Sequence, residues 1–325
     1  MSSRSKVISG VPQGTVLGPI LFLILIGDIN SNTTSHVSSF ADDTRVTKGI
    51  QDADDVKMLQ LDLEKIYQWQ ETNNMRFNDK KFELIRYGRN IKLIQETQYT
   101  NPSNQPISAK DIVRDLGVQM SSSANFTDHI NHICLKTKQI TGWVLRTFTA
   151  RDPITMKTLW NCLIQPHLDY CSQLWAPYKS SDQQKLEAIQ KSYTRQIDGM
   201  RFLNYWERLA ALQMYSQERR QERYRIIYTW KAIENKVNNF GVTTYNSPRL
   251  GRLCKLPKIT TTAPMSITTL KEASLKIRGP KLFNSAPKTI SEMSECSTAA
   301  FVKNWTNTWH QSQINRNVLA THLFV

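Results

Sequence analysis

Asp42 and Asp43 are adjacent carboxylates, preceded by Phe40 and Ala41 and followed by Thr44, Arg45 and Val46. Two such groups repel each other, and burying them without a partner is costly. A divalent cation reverses that penalty, because hard cations take carboxylate oxygens. The same pair also fits an acidic β-turn, since Asp is a common turn residue. A second candidate stretch lies upstream, Gly10-Val11-Pro12-Gln13-Gly14-Thr15-Val16-Leu17-Gly18-Pro19. Its glycines permit close backbone approach to a substrate, and its prolines stiffen the loop. Gln13 offers an amide that can hydrogen-bond a base or a sugar.

The elements that must position these groups follow from the pattern. Pro19 suits a first helical turn, and the apolar run Ile20–Ile26 predicts a helix to about Gly27. That run is too short to span a bilayer and no cleavage pattern follows it, so it reads as a buried helix. Val37–Ala41 and Thr44–Lys48 would be the strands of a hairpin with Asp42 and Asp43 at its turn. Residues 52–70 predict an amphipathic helix with Val56, Leu59, Leu63 and Ile66 on one face. Asp52, Asp54 and Asp55 sit at its positive end, where acids are favoured without any catalytic role.

Composition sets wider limits. A chain of 325 residues can bury a sizeable core and suggests two domains. A hydrophobic share of 40% argues for a globular protein rather than a disordered one. A net charge of +15 favours a polyanionic partner such as nucleic acid, though many basic proteins bind none. Five cysteines, at 134, 162, 171, 254 and 296, form no Cys-x-x-Cys, which fits a reducing compartment. Cys162, His167 and Cys171 lie within or beside an apolar helical pattern and lack a fourth ligand, so they do not read as zinc. His129 and His132 read as packing or surface residues.

The stretch 10–19 followed by Phe40-Ala41-Asp42-Asp43-Thr44 resembles the reverse transcriptase of a non-LTR retrotransposon, a jockey-like LINE element. The first block is similar to the family's motif B, which implies template and nucleotide binding by Pro12, Gln13 and Gly14. The second is similar to motif C, which implies metal binding and catalysis by Asp42 and Asp43 with Mg²⁺ or Mn²⁺. Met75-Arg76-Phe77-Asn78-Asp79-Lys80-Lys81 resembles motif D, and Lys81 matches the lysine near the triphosphate. A lysine there can neutralise or protonate the leaving pyrophosphate; a surface lysine is the competing reading. Phe82 replaces a usual Cys. Val113-Arg114-Asp115-Leu116-Gly117-Val118 resembles motif E, a strand that grips the primer, with Leu116 and Gly117 at matching positions and the usual aromatic missing.

The fold implied is α+β: a partial polymerase palm, a β-hairpin with helices, then a mainly α-helical thumb and C-terminal region. The expected divisions are a partial palm over 1–120, a helical thumb and connection over 121–237, a basic linker or arm over 238–275 and a small helical segment over 276–325. A hairpin with its loop at Asn101–Asn104 is expected near 90–110. Met156, Leu159, Trp160, Leu163 and Ile164 predict a helix ended by Pro166, and Phe301–Trp309 a terminal helix. Arg219, Arg220 and Arg223, with Arg225, are candidates for phosphate contacts, with a solvated helix face as the alternative.

The resemblance implies two-metal nucleotidyl transfer on an RNA template and DNA primer with deoxynucleoside triphosphates. It also implies an intracellular location, in the nucleus or a cytoplasmic ribonucleoprotein, without a membrane partner. Nothing fixes the oligomeric state. Such sites need carboxylates on two strands, and the chain opens almost at motif B. The expectation is therefore a polymerase truncated before motif A and inactive alone. The alternative is a non-catalytic basic nucleic-acid-binding protein, or a relic without selected activity.

Overall fold

The computed structural model describes residues 14–88, 97–258 and 265–306. The chain divides into two compact units, 1–124 and 125–325. Among the described residues the strands form three separate two-stranded antiparallel hairpins.

The first unit opens with α1, Gly18–Ile26, with Pro19 in its first turn as the sequence suggests. The hairpin β1 His36–Phe40 and β2 Asp43–Thr47 follows. Then comes α2, Ala53–Thr72, whose N-cap Asp52 accepts from the amides of Asp54 and Asp55. A 3₁₀ turn, Asp79–Lys81, leads on to the bridge between Leu84 and Ala109. A tight turn at 101–105 joins bridge partners Thr100 and Pro106, where the hairpin near 90–110 was expected; residues 89–96 lie outside the described set. The last hairpin pairs β3 Ile112–Asp115 with β4 Val118–Ser121.

One expectation fails here. The run Ile20–Ile26 is helical but not buried: Ile24 is 71% exposed and Leu23 55%, and only Gly18 and Ile26 are buried. The helix is apolar on every side, so packing one side cannot cover the others.

The second unit is mainly helical. Helix α3, Thr127–Thr147, buries Ile130, Ile133 and Val144, as its spacing predicts. Helix α4, Pro153–Leu159, runs through a π turn at Trp160–Ile164 into α5, Gln165–Asp169. Pro166 therefore does not end the helix. The π turn shifts the bonding from i−4 to i−5, with the Gln165 amide donating to Trp160 O, and the missing Pro N–H falls in the first turn of the next segment. Short α6, Ser172–Trp175, precedes α7 Ser180–Thr194, α8 Tyr205–Ala211 and α9 Gln217–Ile233.

In the stretch expected as a linker, 238–275, the described residues 238–258 and 265–275 carry regular elements. Strands β5 Thr244–Ser247 and β6 Gly251–Cys254 pair, and α10 Met265–Ala273 follows. Val242 and Cys254 join Trp230, Phe283, Phe301 and Trp305 in one apolar cluster. Val242, Leu253 and Cys254 are buried there, whereas Tyr245, Leu250 and Leu256 are exposed. Helix α11, Leu275–Asn284, crosses α9 at Gly279, where an added Cβ would collide with Thr229 Oγ1. The terminal helix is described only as far as residue 306.

Candidate metal-binding hairpin

Phe40 pairs with Asp43, leaving a two-residue loop, Ala41–Asp42. The strands thus end one residue earlier than expected, with Asp42 in the loop and Asp43 opening β2. Ala41 has φ +51°, the left-handed conformation that two-residue hairpin loops require at their first position. Both aspartates are exposed, and neither has an ion-pair partner among the described residues. Exposed, uncompensated, hard oxygen donors side by side are chemistry that a divalent cation fits. Among the described residues no three His, Cys, Asp or Glu side chains gather into a complete metal set.

The hairpin is fixed by residues outside the motif. Asp62 on α2 is buried and accepts four donors just before β1: the amides of Thr34 (3.1 Å) and Ser35 (2.8 Å) and their hydroxyls (2.9 and 2.7 Å). Burial raises its pKa, but the Ser35 hydroxyl and the remaining donors outweigh that and hold it well below the usual carboxylate range. On β2, Arg45 forms an ion pair with Asp115. That pair ties the Asp42–Asp43 hairpin to the β3–β4 hairpin.

Leu116 and Gly117 form the loop of that second hairpin, with φ +44° and +86°. They sit at a turn rather than within a gripping strand, because two successive left-handed residues break the extended chain. Lys81 ends the 3₁₀ turn, exposed and without an ion-pair partner among the described residues. Its turn is set by Tyr67, whose hydroxyl donates to Asp79 (3.2 Å) and whose ring stacks on Phe82 at 5.3 Å. Phe82 is thus a packing residue. No hydrogen bond or ion pair links Lys81 to Asp42 or Asp43. Pro12 and Gln13 lie outside the described residues; Gly14 has φ +80°. At the end of α1, Asp28 accepts from Trp69 Nε1 at 2.7 Å.

The arginines of α9 are largely engaged. Arg220 grips Asp169 with Nε (3.1 Å) and Nη2. Arg219 pairs with Glu222 at 3.3 Å, and Arg223 donates to Thr306 Oγ1 at 3.2 Å. Arg225 is buried and donates to the carbonyls of Gln173, Ala176 and Ala273; burial lowers its pKa to about 10. Arg219 and Arg220 are thus paired with acids, Arg223 with a hydroxyl, and Arg225 is buried.

Sequence reading missed Asp62. A signal existed: it lies on the same helical stripe as Leu59 and Ile66, and a lone carboxylate on an apolar stripe implies buried donors. Asn284 gave none. Its amide accepts from Cys254 N (2.7 Å) and donates to Cys254 O (2.9 Å), in the manner of a neighbouring strand.

The carboxylate pair thus sits on a two-residue hairpin, preceded by an apolar helix and followed by a second hairpin. Residues 2–120 fit the model of the reverse transcriptase (RNA-dependent DNA polymerase) family. Polymerases of that family use divalent metal. The chain is similar, at 26% identity over 213 residues, to the probable RNA-directed DNA polymerase from transposon X-element of Drosophila melanogaster. It is 24% identical over 210 residues to the RNA-directed DNA polymerase from mobile element jockey of the same fly. The jockey polymerase of Drosophila funebris is 26% identical over 214 residues. Each match covers 61% of this chain and 23% of the relative, so the chain matches about a quarter of their length. No solved structure matches. No helix among the described residues is long and apolar enough to cross a membrane.

Proposed function

We propose that this chain carries the metal-binding hairpin and the region after it of an RNA-directed DNA polymerase. The observation that supports this best is the exposed, uncompensated pair Asp42–Asp43 at a two-residue hairpin loop, within the segment that fits the reverse transcriptase family. Asp42 and Asp43 would hold Mg²⁺ or Mn²⁺. A metal held there would supply Lewis-acid activation of a primer hydroxyl and charge stabilisation at the α-phosphate. Lys81 would meet the leaving pyrophosphate, Pro12, Gln13 and Gly14 the template and incoming nucleotide, and the Leu116–Gly117 turn the primer backbone. The substrates would be an RNA template, a DNA primer and deoxynucleoside triphosphates, in a nuclear or cytoplasmic ribonucleoprotein.

Two-metal transfer needs a carboxylate from a further strand, so the pair is one side of the site. Mn²⁺ held by these two carboxylates alone would be bound weakly, because they supply only part of a divalent ion's oxygen shell. The test is Mn²⁺ binding followed by electron paramagnetic resonance, beside primer extension on an RNA template. Binding lost in the Asp42→Ala, Asp43→Ala double variant supports the assignment. Binding unchanged by that variant overturns it.

A further inference from the structure

The second unit holds a cavity of about 120 Å³ beside the π turn of α4–α5. Its walls include Lys157, Asn161, Gln165, Gln190, Gln213 and Arg220, and no carboxylate lines it. The buried glutamines form a fixed polar floor. Gln165 Oε1 accepts from Trp160 Nε1 (2.7 Å), and Gln217 Nε2 donates to Gln190 Oε1 (2.8 Å). Gln190 in turn donates to Tyr215 O (3.0 Å). The two acids nearest in this network are already engaged. Asp169 holds Arg220 through Nε and Nη2, and Glu187 accepts from Tyr205 OH and from the Glu218 amide at 3.0 Å. Arg220 Nη1 and Lys157 Nζ have no partner among the described residues. One unpaired ammonium, one spare guanidinium donor and several amides thus line a small concavity whose walls carry no carboxylate. Arg220 is neutralised by Asp169 but keeps Nη1 as a donor, and Lys157 is the cation left without a counter-charge among the described residues; an oxyanion with several acceptor oxygens pairs with that ammonium and takes the free donors.

The π turn and Gln213 strengthen this. A π turn places Asn161 on the cavity wall at a cost in regular helical bonding, and such turns are frequent at functional sites. Gln213 stands with φ +50° just past the end of α8, a position that glycine fills more cheaply. Glycine there would remove an amide from the cavity.

We infer that this cavity is a binding site for a phosphate-sized oxyanion, held by Lys157 and Arg220 and oriented by the side-chain amides of Asn161 and Gln213. Its ligand chemistry is a phosphoryl group, whether free phosphate or the terminal phosphate of a nucleic acid strand. The site does not depend on the metal-binding role of Asp42 and Asp43.

The test titrates the full chain at fixed ionic strength with inorganic phosphate. It also uses one short single-stranded oligonucleotide made with and without a 5′-phosphate. Lys157→Met is the variant, because Lys157 is partly exposed and unpaired and its loss leaves the fold intact, which thermal melting checks. Lys138→Met on α3 controls for loss of one surface charge. Millimolar phosphate should bind, and Lys157→Met should weaken it about tenfold, the worth of one charge-assisted hydrogen bond, while Lys138→Met does not. An advantage of the 5′-phosphorylated strand that disappears in Lys157→Met assigns the site to a nucleic acid end. A Lys157-dependent response confined to inorganic phosphate assigns it to the free anion. Absence of phosphate binding, or binding indifferent to Lys157→Met, overturns the proposal.

Discussion

Replacing Asp62 with alanine should release the Asp42–Asp43 hairpin from α2 without touching either carboxylate. The four donors on Asp62 come from two consecutive residues, Thr34 and Ser35, directly ahead of β1. Bonds to a charged acceptor are worth about 1.5–3 kcal/mol each, but four donors on one carboxylate do not add, and the cost of burying Asp62 is recovered on truncation. A net loss of about 3 kcal/mol is the reasonable figure, set mainly by the Ser35 amide and hydroxyl left buried without an acceptor. At about 1.4 kcal/mol per decade, that lowers amide-exchange protection at Thr34 and Ser35 about a hundredfold. Asp62→Asn keeps one accepting oxygen and should fall roughly midway. The contribution also depends on pH in a fixed sense. Because the folded pKa lies below the unfolded one, the stabilisation is present above about pH 4 and fades as pH falls through the folded value. Hydrogen exchange read by mass spectrometry reports the segment directly. Unchanged protection at residues 34–35 in Asp62→Ala would refute the reasoning, as would a loss of protection spread evenly over the first unit.

Gly279→Ala drives a methyl into Thr229 Oγ1, which is itself tied to Arg225 O at 2.8 Å, so melting of the second unit should show about 1–3 kcal/mol of destabilisation. His129 packs edge-on against Trp175 at 5.3 Å, and burial, with His132 adding to it, lowers its pKa to about 4. Its folded pKa is below the unfolded value, so the protein should lose up to about 3 kcal/mol as pH falls from about 6.5 to 4; urea melts across that range should show the slope, and His129→Phe should remove it. Ala41→Val puts a β-branched residue at φ +51° and should cost about 1–2 kcal/mol, read as faster amide exchange across residues 36–47 while α2 keeps its protection.

The parts of the fold legible in the sequence are those governed by local rules. Asp52 caps α2 because an N-cap carboxylate meets free amides wherever it stands. The Asp42–Asp43 turn was legible to within one residue, since it needs only a two-residue loop and β-formers on each side. The misreadings came from context that local rules do not carry. Ile20–Ile26 looks buried because it is apolar, yet burial depends on what covers it. Pro166 looks like a stop unless a π turn precedes it, and π turns leave no composition signal. The segment 238–275 looks like a linker because Thr, Ser and Lys dominate it. Its place in the core rests on Val242, Leu253 and Cys254, too few to set a period.

The arginines show why net charge and contact capacity must be separated. Arg208 donates to the carbonyls of Leu203 and Lys191, Arg151 to that of Leu145, and Arg225 to three others. These bonds use up guanidinium donors but cancel no charge, because a carbonyl is neutral. Arg220 and Arg252 are different: Asp169 and Glu234 neutralise them. The field from +15 therefore survives folding, and it can draw in a polyanion over a Debye length. The cations without an acidic partner among the described residues include Lys81 and Lys157. A lysine acts as a point charge and does not fix the geometry of what it holds, as a bidentate arginine would. At the cavity of the second unit, orientation must then come from the interlocked glutamines.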